Sequence, residues 1–217
     1  MAETPIDVRD MAIVHRTFRD AFSESGQLVL ANPTPSPERV AFLADHIDFL
    51  LGVLHHHHAS EDESLYPLLA QRVPEQLEMV NAVEAQHKTV TGAIESVTQS
   101  CTAWSQGPSV ATAEALAARL DDLNAVLQPH LDDEEAKIVP LAAEHLTQKE
   151  WDSMGEKAVA AIPRKKLPIA FGLLTEPLNE SDREHMKSTL PAPVRILFPV
   201  LIGRPWKKYA HTLRNGT

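Results

Sequence analysis

The chain has 217 residues, 43% of them hydrophobic and 23% charged, with a formal charge of −10. Disorder over most of its length is excluded by that composition, and its acidity disfavours nucleic acid as the main partner. The single cysteine, Cys101, excludes an intrachain disulfide framework and any thiolate-rich metal site; no run of about 18 apolar residues offers a membrane span, and a charged start without an apolar leader makes the cytoplasm the expected compartment.

In chain order, a first helix is expected from near Thr4, with Pro5 at its first position, through Val8, Met11, His15, Phe18 and Phe22 in steps of three and four. After the loop ANPTPSPE, Ser36 caps a second helix that Pro37 begins. Its inner stripe is Leu43, His46, Leu50, Val53, His57, Glu61 and Leu65. Pro74 opens a third, with Leu77, Val80, Val83, His87, Val90, Ile94, Val97, Cys101 and Trp104 on one face. The loop SQGPS ends it, and a fourth carries Leu116, Leu120, Leu123, Leu127, His130, Glu134 and Leu141. Pro129, just before His130, predicts a kink there. A shorter helix follows Thr147, whose capping-box partner is Glu150.

Residues 163–217 hold ten Lys or Arg against four Asp or Glu, and seven of the sixteen prolines. Only short helices fit so many prolines, one of them capped by Ser181 with Glu184 closing the box. No period-two run is long enough for a strand. The expected fold is all-α: an up-down-up-down four-helix bundle over residues 1–146, with extra short C-terminal helices. Residues 147–217 form a basic, Pro-rich tail whose charge complements the acidic remainder, so it is expected to pack on the bundle. The apolar VRILFPVLIG beside Trp206, Lys207 and Lys208 offers a membrane-interface alternative. Pro199 splits that stretch, and membrane contact is the less favoured reading.

Each long helix has one histidine on an otherwise apolar seam: His15, His57, His87 and His130. One such residue is ordinarily a satisfied core histidine. Four converging imidazoles need a shared partner. Glu61 and Glu134 follow His57 and His130 by four residues, on the same helix face. The segment HHASEDESLYP aligns without gaps to HLDDEEAKIVP, 73 residues later. VHRTF around His15 likewise matches QHKTV around His87, 72 residues on. The chain thus holds two copies of an αα-hairpin, each offering two histidines and a glutamate. Two carboxylates can bridge two metals while imidazoles fill terminal positions. Nitrogen and oxygen donors without thiolate suit iron or manganese, with zinc next.

The two H-x-x-x-E motifs, each with a histidine 42 or 43 residues upstream, resemble the hemerythrin family, also called the HHE cation-binding domain. The resemblance covers roughly residues 5–145. It implies a non-haem di-iron centre, oxo- or hydroxo- and carboxylate-bridged, inside a four-helix bundle. Its ligands are His15, His57, Glu61, His87, His130 and Glu134. It also implies small-molecule partners, namely O2, H2O2 or NO, in a protein expected to be monomeric.

Two positions depart from the oxygen-carrying members. Those place a second histidine one turn from the helix-three ligand, where this chain has Val83 and Thr91. Their helix-four carboxylate lies five residues past the histidine, at Glu135 here, whereas the repeat selects Glu134. His58 is a candidate fifth histidine, and Glu84, Tyr66 and Glu135 are candidates for a place around the ligands. The ferritin-like alternative needs Glu-x-x-His on two helices, and only Glu84–His87 fits. The departures favour peroxide disproportionation, as in a catalase, over reversible O2 carriage. O2 or NO binding and iron buffering are the alternatives.

Overall fold

The computed structural model describes residues 5–216. Helices dominate, and no strand occurs among the described residues. The chain forms two compact units, Met1–Ala161 and Ile162–Thr217.

In the first unit, α1 (Arg9–Ala31), α2 (Pro37–Ser64), α5 (Gln86–Gln106) and α6 (Val110–Asp133) are the long helices. α1 packs on α2 and α6, and α5 packs on α2 and α6, closing a ring of four. Ser36 caps α2 by accepting from the Arg39 amide, and Ser109 and Thr112 form a capping box on α6. The seam residues Phe22, Ile47, Leu54, Val97, Leu116, Leu120, Leu123 and Leu127 are completely or almost completely buried. Each such leucine contributes about 1.5–3 kcal/mol.

Two sequence expectations need correction here. α1 begins at Arg9 rather than near Thr4, which lies outside the described residues, and Val8 at the cap makes no side-chain bond. The third helix is two pieces, α4 (Leu77–Glu84) and α5, divided at Ala85, and Leu77 is exposed. α6 stays helical through Pro129. One turn later comes a π-helical turn over Glu134–Ile138, where the Val139 amide reaches back to the Glu134 carbonyl.

The sequence repeat now has a structural meaning. In the first hairpin the helix breaks at Leu65, and α3 (Tyr66–Arg72) restarts with Pro67 in its first turn. In the second, the π turn leads into α7 (Val139–His145), with Pro140 in the same place. In both hairpins the regular α-helix is interrupted within a few residues of the glutamate, and a proline follows where it is tolerated because first-turn amides have no intrahelical acceptor.

Around these interruptions lies a second apolar cluster, with Met11, Leu65, Tyr66, Leu69, Val80, Ile138 and Trp151. α8 (Gln148–Ala161) helps to close it and packs on α2. Thr147 and Glu150 make the expected capping box. Glu150 also takes a bidentate bond from Arg72, which holds its carboxyl down at about 2. Trp151 donates to Asp10 at 3.0 Å.

The second unit contains α9 (Leu167–Thr175), α10 (Glu180–Ser188), α11 (Ala192–Ile196) and α12 (Arg204–Asn215). Asn179, not Ser181, caps α10, accepting from the Asp182 amide at 2.9 Å. Asn is among the strongest capping residues and stands two positions earlier. Arg214 of α12 pairs with Glu176 at 2.7 Å. Gly172 lies against Trp206, and a Cβ there would run into the base of the indole. Gly172→Ala is therefore expected to destabilise this unit by about 1–3 kcal/mol, measured by denaturant melts. An unchanged midpoint would show that Trp206 moves aside freely. No helix among the described residues is long and apolar enough to cross a membrane.

Candidate metal centre

The apolar seams carry four histidines and two glutamates to one level of the bundle. His15, His57, Glu61, His87, His130 and Glu134 are all buried, and Glu61 is completely so. They lie between the Leu/Phe/Val seam and the second apolar cluster, in a layer largely closed to solvent. His58, beside His57, is buried there too, at 4% exposure.

The donor atoms fall into two groups. His15, His57, Glu61 and Glu134 form one, and His58, His87 and His130 the other, with the donors of each group within 4.8 Å of one another. The two carboxylates span both groups. Glu61 Oε1 lies 3.3 Å from His57 Nε2, and its Oε2 lies 3.9 Å from His87 Nε2. Glu134 Oε2 lies 3.5 Å from His15 Nε2 and 3.4 Å from His130 Nε2, with Oε1 3.6 Å from His87. Neighbouring donors about 2.1 Å from one cation stand about 3 Å apart, close to these separations.

Polar residues of adjacent helices orient the imidazoles from behind. His87 Nδ1 meets Asp62 Oδ1 at 2.6 Å, His130 Nδ1 meets Gln86 Oε1 at 3.1 Å, and His15 Nδ1 meets Glu135 Oε1 at 3.0 Å. Arg19 in turn donates to Glu135 at 2.8 Å. With Nδ1 engaged, Nε2 of His87 and His130 is left without a protein partner, and Nε2 of His15 meets His57 Nε2 at 3.3 Å; a carboxylate or amide behind the ring is the arrangement that fixes tautomer and aim toward a cation. Asp62→Ala is expected to lower metal affinity 10–100-fold, by direct titration. An unchanged affinity would mean that packing alone aims His87.

Burial, and then the neighbouring His15, lowers His57 to about 3, and burial lowers His130 to about 4. Both rings are neutral and carry a lone pair at pH 7. Burial, and then the Glu134 charge, holds Glu61 well above the ordinary carboxylate range. Burial alone would raise Glu134 as well, but the imidazoles of His87, His130 and His15 hold it down at about 2. Tyr66 donates to Glu134 Oε1 at 2.7 Å, and burial together with that carboxylate raises its hydroxyl above the usual value. Tyr66 thus keeps its proton.

Several buried atoms of this layer have no hydrogen-bond partner in the protein: both oxygens of Glu61, Oε2 of Glu134, Nε2 of His87 and His130, and both ring nitrogens of His58. Each unsatisfied group costs about 1–3 kcal/mol, and a whole domain is stable by only about 5–15 kcal/mol. Bound metal would answer these demands together, since the set is imidazole and carboxyl groups, with no thiolate.

The structure thus brings together the six residues singled out from the sequence, with His58 among them. Glu135 is outside the layer, on His15 Nδ1, and Tyr66 is on Glu134. Glu84 belongs to neither donor group, and His46 is buried apart from both. Asp62, Gln86 and Arg19 were not singled out. For Asp62 and Gln86 a signal existed: each is a polar immediate neighbour of Glu61 or His87.

A helical bundle with a buried layer of histidines and glutamates is the architecture of a metal-binding protein. The family model for the hemerythrin HHE cation binding domain matches residues 7–142, and the chain belongs to that family. Comparisons with curated proteins and with solved structures give no significant match.

Proposed function

We propose that the protein holds a non-haem di-iron centre on His15, His57, Glu61, His87, His130 and Glu134, and uses it to disproportionate hydrogen peroxide. The observation that carries the reading is the pair of carboxylates, each within reach of imidazoles of both donor groups. That is what two bridged cations require. An iron pair, when bound, supplies the two electrons exchanged as two H2O2 become O2 and two H2O.

The chain supplies the surroundings. The Leu/Phe/Val seam on one side and the Tyr66 cluster on the other exclude water. Asp62, Gln86 and Glu135 hold the rings. The Tyr66 hydroxyl keeps a proton 2.7 Å from Glu134 Oε1, at the edge of the centre, where peroxide reduction consumes protons. O2 or NO binding without turnover is the second reading. It gains from His58, which places a third imidazole with His87 and His130.

The test is direct. The iron-loaded protein is assayed for iron per chain, given H2O2, and followed with an oxygen electrode. Two irons per chain and sustained O2 release are expected, and the iron-free protein should release none. A reversible spectral change under O2 without turnover would select the second reading.

A further inference from the structure

His57 and His58 are consecutive on α2, so their side chains leave the helix about 100° apart. In a four-membered ring of helices that angle separates two neighbours. The His57 ring lies 5.3 Å from that of His15 and 5.4 Å from Phe18, both on α1. The His58 ring stacks on His87 of α5, with centroids 4.4 Å apart and planes 24° apart, and meets His130 of α6 edge-on at 5.1 Å.

His58 differs from its partners in one respect. His87 and His130 each engage a side chain through Nδ1. Neither nitrogen of His58 has any partner, although the residue is 4% exposed. A ring held only for packing would leave two polar atoms unsatisfied where a leucine would leave none. Helices α4 and α5, meanwhile, have no second imidazole to offer at this level. Val83 is buried in the second apolar cluster, and the Thr91 hydroxyl is committed to the His87 carbonyl at 2.8 Å.

We infer that His58 is itself a metal ligand, completing a three-imidazole site with His87 and His130 while His15 and His57 serve the other cation. Helix α2 then contributes three ligands, His57, His58 and Glu61, and the two cations are unlike. This rests on the two-metal reading above, and the experiment separates the two.

Metal-free wild type, His58→Leu and His58→Ala are titrated anaerobically with Fe(II), with bound iron counted and Co(II) visible spectra recorded in parallel. Leucine keeps the volume without the nitrogens, and alanine leaves room for added imidazole. Melting of the metal-free proteins checks their folding. Wild type should bind two ions. Both variants should keep one at wild-type affinity and bind the second at least about 10-fold more weakly, with a changed Co(II) spectrum. Free imidazole should restore the second ion in His58→Ala only. Two ions at wild-type affinity in both variants would overturn the assignment. So would loss of both ions that imidazole does not reverse, which would mark His58 as structural. Fewer than two ions in wild type would instead defeat the two-metal reading.

Discussion

Glu134→Gln is expected to leave one firmly held iron per chain, against two in wild type and two in Glu135→Gln. Glu134 Oε2 sits 3.5 Å from His15 and 3.4 Å from His130, which belong to different donor groups. Glutamine keeps the shape but loses the anion between the cations and turns one acceptor into a donor. Glu61 occupies the equivalent place in the first hairpin, so Glu61→Gln should behave alike. Glu135 is the control. Its carboxylate is partly exposed and bonded to His15 Nδ1 and Arg19, and glutamine still offers His15 an acceptor. Iron counts after desalting decide the matter. Loss of iron from Glu135→Gln but not Glu134→Gln would make the residue five positions past His130 the ligand.

His57→Ala and His130→Ala form the second large effect, each lowering bound iron to one per chain or fewer. Each removes an imidazole from a different donor group, and each leaves a carboxylate oxygen without a nitrogen it now faces at 3.3–3.4 Å. His185→Ala, on α10 of the second unit, should keep the wild-type count. Wild-type iron in both seam variants would remove the basis for the metal assignment.

The seam histidines were legible because a helix repeats every 3.6 residues, and an imidazole at a leucine position must be buried. The glutamates were legible through the 73-residue repeat, which selected Glu134 over Glu135, and the structure has Glu134 in the buried layer with Glu135 outside it. Other features depend on packing that no short pattern encodes. Which way His58 points is set by where α5 and α6 sit around α2. The division at Ala85 has no Gly or Pro to announce it. The π turn at Glu134–Ile138 has no breaker residue of its own to announce it. At α10 two capping candidates competed, and Asn179 prevailed over Ser181.

The bonds behind the histidines run in sequence around the bundle. Asp62 of α2 serves His87 of α5, Gln86 of α5 serves His130 of α6, and Glu135, just past α6, serves His15 of α1. Each donor helix therefore measures the axial position of the next. A slip of one residue moves a side chain 1.5 Å along the axis and 100° around it, which breaks the bond at that step. The three links act as a gauge that admits one register of four helices otherwise held by interchangeable leucines. Part of the ordering entropy of bringing these donor residues together from distant parts of the chain is thus met by the bundle's own bonds. A cation held at the proposed centre would answer the cost that remains at its unpartnered atoms.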